Sequence, residues 1–130
     1  HVSYLLKAAT FGAVKYATRG LDDSEWAVTE IDRLDDLAYG FVGARNVTSL
    51  ALDTQGRPWI AYSDEKHLKL AVWDGSEWGM TTVVNAGDKT MGQLVSLELG
   101  PDDQPHIAYF EVTAKSPLNG VIKYAKGTPG

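Results

Sequence analysis

At 130 residues, with 44% apolar, 22% charged and 10% aromatic residues, the chain has the makings of one small globular domain. It is too apolar for disorder and lacks the run of about 18 apolar residues that a membrane helix needs. A net charge of −5 argues against a sequence-independent nucleic-acid binder, and the absence of cysteine excludes disulfide scaffolds, thiolate metal sites and cysteine nucleophiles.

Along the chain, four kinds of short segment recur in one order. HVSY (His1 to Tyr4), AVKYA (Ala13 to Ala17) and a segment opened by Trp26 come first. Residues 31–41 then place Ile31, Leu34, Leu37, Ala38 and Phe41 at helical spacing, which predicts one short helix in a connection. Val47 to Pro58 (VTSLALDTQGRP) follows, then WIAY (Trp59 to Tyr62), LKLA (Leu68 to Ala71) and a segment opened by Trp78. Leu94 to Pro105 (LVSLELGPDDQP), HIAY (His106 to Tyr109) and VIKYA (Val121 to Ala125) complete the series. The corresponding lysines, Lys15, Lys69 and Lys123, lie 54 residues apart.

Each segment is short, rich in β-branched and aromatic residues and bounded by Gly, Pro, Asp or Asn, as strands are. D-T-Q-G-R-P (Asp53 to Pro58), G-P-D-D-Q-P (Gly100 to Pro105) and W-D-G-S (Trp73 to Ser76) read as tight turns. Four antiparallel strands every 40–50 residues is the signature of a β-propeller blade. The predicted fold is therefore all-β: a β-propeller fragment of two and a half to three four-stranded antiparallel blades. With strand a innermost, blade one is residues 1–31 (strands b to d), blade two is 46–84 (a to d) and blade three is 93–126 (a to c).

The faces of the segments agree. Ile60 and Tyr62 point one way and Ala61 the other; Leu68, Leu70 and Val72 oppose Lys69, Ala71 and Trp73. Both faces of a blade are then apolar or small, and a two-sheet sandwich is the alternative fold. A bare four-stranded face covers roughly 300 Å². At about 25 cal/mol/Å², covering it is worth on the order of 8 kcal/mol, comparable to the stability of a domain. Remaining propeller blades, or further copies of the chain, are expected to close the ring.

SLALDTQGRPWIAYSD followed by LKLAVWDGSEW resembles the repeats of bacterial sialidase-like (BNR-like) propellers, and is similar to the blades of streptogramin-lyase-like propellers. The likeness covers essentially the whole chain and implies fold rather than activity. It departs from the sialidase Asp-box, S-x-D-x-G-x-x-W: Asp53 and Gly56 are three apart, and Gly100 stands at the Asp53 position in the third repeat. The four arginines, Arg19, Arg33, Arg45 and Arg57, share no repeat position, so no arginine triad and no catalytic residue carries over. Trp73 to Trp78 also resembles fucose-binding lectin propellers, some of which assemble from two-blade chains.

The residues themselves offer little chemistry. His1 and His106 share a strand-start position and read as structural, and no metal-ligand spacing involves them or His67. Asp22–Asp23, Asp35–Asp36 and Asp102–Asp103 read as turn formers, and Asp64 to His67 as a soluble hairpin. No nucleophile elbow or phosphate loop is present. Neither a catalytic residue, a metal nor a cofactor is expected.

Loop lengths point to one end. The b–c loops (Leu6 to Gly12, Ser63 to Lys66, Glu111 to Asn119) and d–a connections (Asp32 to Arg45, Asn85 to Gly92) vary and project together, and variable loops on a rigid scaffold are where binding sits. The candidate ligand-binding residues are Tyr39, Phe41, Arg45, Asp64, Lys66, Lys89 and Met91. The leading expectation is a non-catalytic ligand-binding or scaffold module, secreted or at a cell surface, taking a glycan or a protein, with no nucleic acid and no membrane insertion. Two alternatives stay open: part of a sialidase-like glycoside hydrolase or lyase whose catalytic residues lie on other blades, and a small lectin-like chain that oligomerises.

Overall fold

The computed structural model describes residues 1–7, 11–34, 47–87, 89–115 and 118–127. It is all-β, with three antiparallel sheets of three, four and three strands. The first holds β1 (Val2–Lys7), β2 (Gly12–Thr18) and β3 (Ala27–Leu34). The middle sheet holds β4 (Thr48–Leu52), β5 (Pro58–Ser63), β6 (His67–Trp73) and β7 (Trp78–Asn85). The third holds β8 (Thr90–Leu99), β9 (Pro105–Lys115) and β10 (Leu118–Lys126). Within each sheet, strands adjacent in sequence are adjacent in space.

The middle sheet is covered on both faces. Ile60, Tyr62 and Ala71 pack with Val14, Tyr16, Ile31 and Leu34 of the first sheet. Trp59, Ala61, Leu68 and Leu70 pack with Val95, Leu97, Ile107 and Tyr109 of the third. Every residue of β5 is buried, because alternate side chains enter different cores. Ile60 and Ile107 therefore do not face each other; the molecule has three layers rather than the two of a sandwich. Ala61 is completely buried, and its small side chain lets the third sheet come close.

Three local expectations need correction. Ile31 and Leu34, expected to open a helix, lie in β3. Lys15 pairs with Glu30 and Val14 with Asp32, so Ile31 is the extra residue of a β-bulge. A bulge changes the two-residue alternation to three, and Ile31 and Leu34 both reach the core, which imitates helical spacing. Residues 35–41 lie outside the described residues. The same bulge recurs in the middle sheet, where Lys69 pairs with Thr82, Leu68 with Val84, and Val83 is the extra residue.

The second correction concerns Glu111 to Asn119, expected as a loop. Most of it is strand: Glu111 pairs with Val121, Val112 with Gly120 and Lys115 with Leu118, in a long hairpin. The third follows from it. The longer β9 offers Thr90 and Met91 partners in Val112 and Glu111, so Met91 belongs to β8 and not to a connection.

The turns are closed by carboxylates. The Asp53 amide donates to the Arg57 carbonyl (3.0 Å) and the Gly56 amide to the Asp53 carbonyl (2.9 Å), with Gly56 at φ +76°. The Asp53 carboxylate accepts from the amides of Gln55 (2.9 Å) and Arg57 (2.8 Å), from Arg57 Nε (2.7 Å) and from Trp59 Nε1 (3.4 Å). In the third sheet Gly100 stands at the Asp53 position, where a Cβ would lie 3.2 Å from His106 Nε2. Asp103 takes the left-handed place of Gly56, at φ 56°, and accepts from the amide and hydroxyl of Thr54 (2.8 and 2.6 Å), which joins the turns of two sheets.

Candidate functional site

The ends of β3, β5 and β9 and the starts of β6 and β8 gather at one end of the stack, where the variable connections emerge. Register explains which side chains meet there. Tyr4 lies opposite Lys15, Tyr62 opposite Lys69 and Tyr109 opposite Lys123, so each sheet carries one cross-strand Tyr–Lys pair. An acid completes each pair: Glu30 lies 3.1 Å from Lys15, Asp32 lies 2.9 Å from Lys69, and Glu111 lies 3.0 Å from Lys123.

The first cluster lies between the first and middle sheets. The Tyr62 hydroxyl donates to Asp32 Oδ2 (2.8 Å), the oxygen that Lys69 also holds. Lys69 reaches Asp64 at 3.7 Å. Asp64 in turn accepts from the amides of Lys66 and His67, both at 2.7 Å, and lies 3.0 Å from His67 Nδ1. Burial, then the hydrogen bond to Asp32 and its negative charge, push the Tyr62 phenol far above its ordinary range. Tyr62 is therefore a permanent donor.

The second cluster lies between the middle and third sheets. Buried Glu111 accepts from Lys123 Nζ and Lys89 Nζ, each at 3.1 Å. Those bonds outweigh burial and hold its carboxyl below the usual range. Lys66 Nζ donates to the carbonyls of Gly87 (3.3 Å) and Lys89 (3.2 Å). Two ammonium groups thus hold Glu111, a third, that of Lys66, is tied to the backbone beside Lys89, and the side chain of Lys89 is 55% exposed. At the far end, burial pushes Asp53 up, but the bonds from Arg57, Trp59 and Gln55 win and its carboxyl is lowered.

Of the residues expected at the site, Asp64, Lys66 and Lys89 come together here. Met91 is set opposite Glu111 in the register of β8 and β9. Tyr39, Phe41 and Arg45 lie outside the described residues. Sequence reasoning missed Asp32, Tyr62, Lys69, Glu111 and Lys123. The repeated Tyr and Lys positions carry the signal for three of them, since a shared register in each hairpin makes the pairs neighbours.

The recurring histidines and tryptophans make contacts with other aromatic or cationic side chains. His1 Nδ1 lies 2.6 Å from the Tyr16 hydroxyl and His106 Nδ1 lies 2.5 Å from that of Tyr124, one pairing repeated. Trp78 packs edge-on to Tyr16 (5.3 Å between ring centroids) and tilted against Trp73 (5.7 Å). Trp26 is half-exposed, with the Arg19 guanidinium 5.3 Å from its ring.

Among the described residues no group of three or more His, Asp and Glu stands ready to hold a metal, and no helix is long and apolar enough to cross a membrane. Ionised Glu111 and the permanently protonated Tyr62 offer hydrogen bonds and charge, not a proton exchangeable near neutral pH. No family model, curated protein or solved structure matches the chain.

Proposed function

We propose that the chain is a non-catalytic ligand-binding or scaffold module built from propeller-type blades, and that its ligand is a glycan carrying an acidic group. The observation that supports the blade reading is the double coverage of β5: one four-stranded meander hides both faces against two others by the same residue positions. Such sheets place their variable connections on one rigid end, where binding residues are held without the cost of ordering a loop.

The acidic ligand follows from charge. In a chain of net charge −5, Lys89 and Lys123 close on the buried carboxylate of Glu111, and the Lys66 ammonium is held beside them on the Lys89 carbonyl. The Lys89 side chain is 55% exposed, and the carboxylate it meets, Glu111, is buried, which leaves its ammonium open to an anion from solution. A glycan array with matched neutral, uronate-bearing and sialylated members tests this reading. Retention of acidic members, lost in Lys66→Ala/Lys89→Ala and in high salt, with no released sugar, is the expected result. Equal retention of neutral and acidic members, or turnover of any of them, contradicts it.

A further inference from the structure

The gap between the first and middle sheets and the gap between the middle and third sheets are built on one plan, and the second lacks an acid that the first has. Tyr62 and Tyr109 hold the same repeat position, as do Lys69 and Lys123, and each tyrosine lies opposite its lysine. Asp64 and Glu111 each stand two residues beyond the tyrosine. Facing each gap from the preceding sheet is a strand with the same bulge, in which Asp32 lies opposite Val14 and Val84 opposite Leu68. Val84 is therefore the counterpart of Asp32, and it packs against the core that contains Tyr109.

In the first gap the donors are satisfied. Asp32 Oδ2 accepts from the Tyr62 hydroxyl (2.8 Å) and from Lys69 Nζ (2.9 Å), and Lys69 also reaches Asp64 (3.7 Å). One ammonium thus serves two carboxylates. In the second gap the ratio is reversed: among the described residues the ammonium groups of Lys89 and Lys123 share the carboxylate of Glu111. Val84 fills the Asp32 place with methyl groups, and the Tyr109 hydroxyl has no acceptor among the described residues although Tyr109 is only 7% exposed. No fully enclosed side-chain oxygen or nitrogen there lacks a partner, so this hydroxyl meets the surface. The lysines beside it are open as well: the side chains of Lys89 and Lys123 are 55% and 40% exposed, against 24% for Lys69.

We infer that the second gap binds a carboxylate from solution in the part that Asp32 plays in the first, held by the Tyr109 hydroxyl and the Lys123 ammonium with Lys89 as the outer cation. Asp32 is a built-in copy of the ligand's acid. An incoming carboxylate brings the group to two cations and two anions and gives the Tyr109 hydroxyl a charged acceptor. This role rests on the reading that the ligand is acidic, and adds what kind of acid it carries and which residues hold it.

Titration of the chain with glucuronate, with glucose as the neutral control and amide chemical shifts as the readout, tests it. Glucuronate should saturate the wild type and glucose should not. Tyr109→Phe should weaken glucuronate by about tenfold or more, the scale of one hydrogen bond to a charged group. Val84→Asp supplies the acid from within, as Asp32 does, and should abolish glucuronate binding, whereas the uncharged Val84→Thr, of similar size, should keep it. Circular dichroism checks the fold of each variant, and Tyr109→Phe decides alone if Val84→Asp does not fold. Glucuronate binding that survives both Tyr109→Phe and Val84→Asp yet is lost in Lys89→Ala overturns the inference and leaves the acidic-ligand reading standing. A wild type that takes glucuronate no better than glucose also overturns it, and the glycan array then decides the acidic-ligand reading separately.

Discussion

The Tyr62 hydroxyl donates to Asp32 across the gap between two sheets, from a side chain with no exposed surface. Asp32 is also held by Lys69, so Tyr62→Phe removes one of two donors and leaves the charge paired. The loss should be about 2 kcal/mol, the range for a bond to a charged group. Ile60→Ala on the same strand opens a cavity at a fully buried site and should cost about 3–4 kcal/mol. Urea midpoints at neutral pH check the order: wild type highest, the Phe variant between, the Ala variant lowest.

Acid should loosen the stack through Glu111. Its folded pKa lies below the ordinary value of 4.5, so its ionised form stabilises the fold above that value. The contribution fades as pH falls below 4.5 and through the folded value. Asp53, also lowered from 3.8, adds a loss of the same sign further into acid. Glu111→Gln should be less stable than wild type at pH near 7 and show a flatter fall below about pH 4.5. Denaturant unfolding across that pH range reads both slopes.

Gly56 tests backbone conformation with no packing contribution. Its φ is +76°, and a Cβ built there meets nothing within 4 Å. Gly56→Ala should therefore cost about 1–2 kcal/mol through left-handed strain alone. Asp103→Gly at the matching turn relieves that strain but gives up both bonds to Thr54, and should be neutral to destabilising by about 1 kcal/mol. Thermal midpoints of the two variants measure the difference.

Ala61 and Ala108 occupy the same repeat position, one completely buried between sheets and one exposed. Ala61→Leu should destabilise by about 1–3 kcal/mol through overpacking, whereas Ala108→Leu should stay within about 0.5 kcal/mol in dilute solution. Equal effects in urea unfolding would mean that the two faces are not differently covered.

The strands were legible because their apolar residues alternate and their turns carry Gly, Pro and Asp at fixed offsets. The two-faced burial of β5 was legible too, since Ile60 and Tyr62 alternate with Ala61 and not with a charge. The bulge at Ile31 was not: one extra residue converts strand alternation into apparent helical spacing, and only the pairing of Lys15 with Glu30 reveals it. Glu111 was hidden for a related reason. Its segment holds polar residues that look like loop, yet β10 pairs with it and two lysines neutralise it. Asp64, Lys66 and Lys89 stand out in the sequence by loop position alone, while the neighbourhood of Tyr62 and Lys69 needs knowledge of register.

The stacking of the first sheet on the middle one can be tested covalently, because the chain has no cysteine of its own. Ser3 Oγ donates to Thr48 Oγ1 at 3.1 Å across that gap. The double variant Ser3→Cys/Thr48→Cys should oxidise quantitatively to an intramolecular disulfide and gain roughly 3–4 kcal/mol of stability from closing a loop of that length. Two thiols that stay free and reactive in the folded, oxidised sample would contradict the layered arrangement.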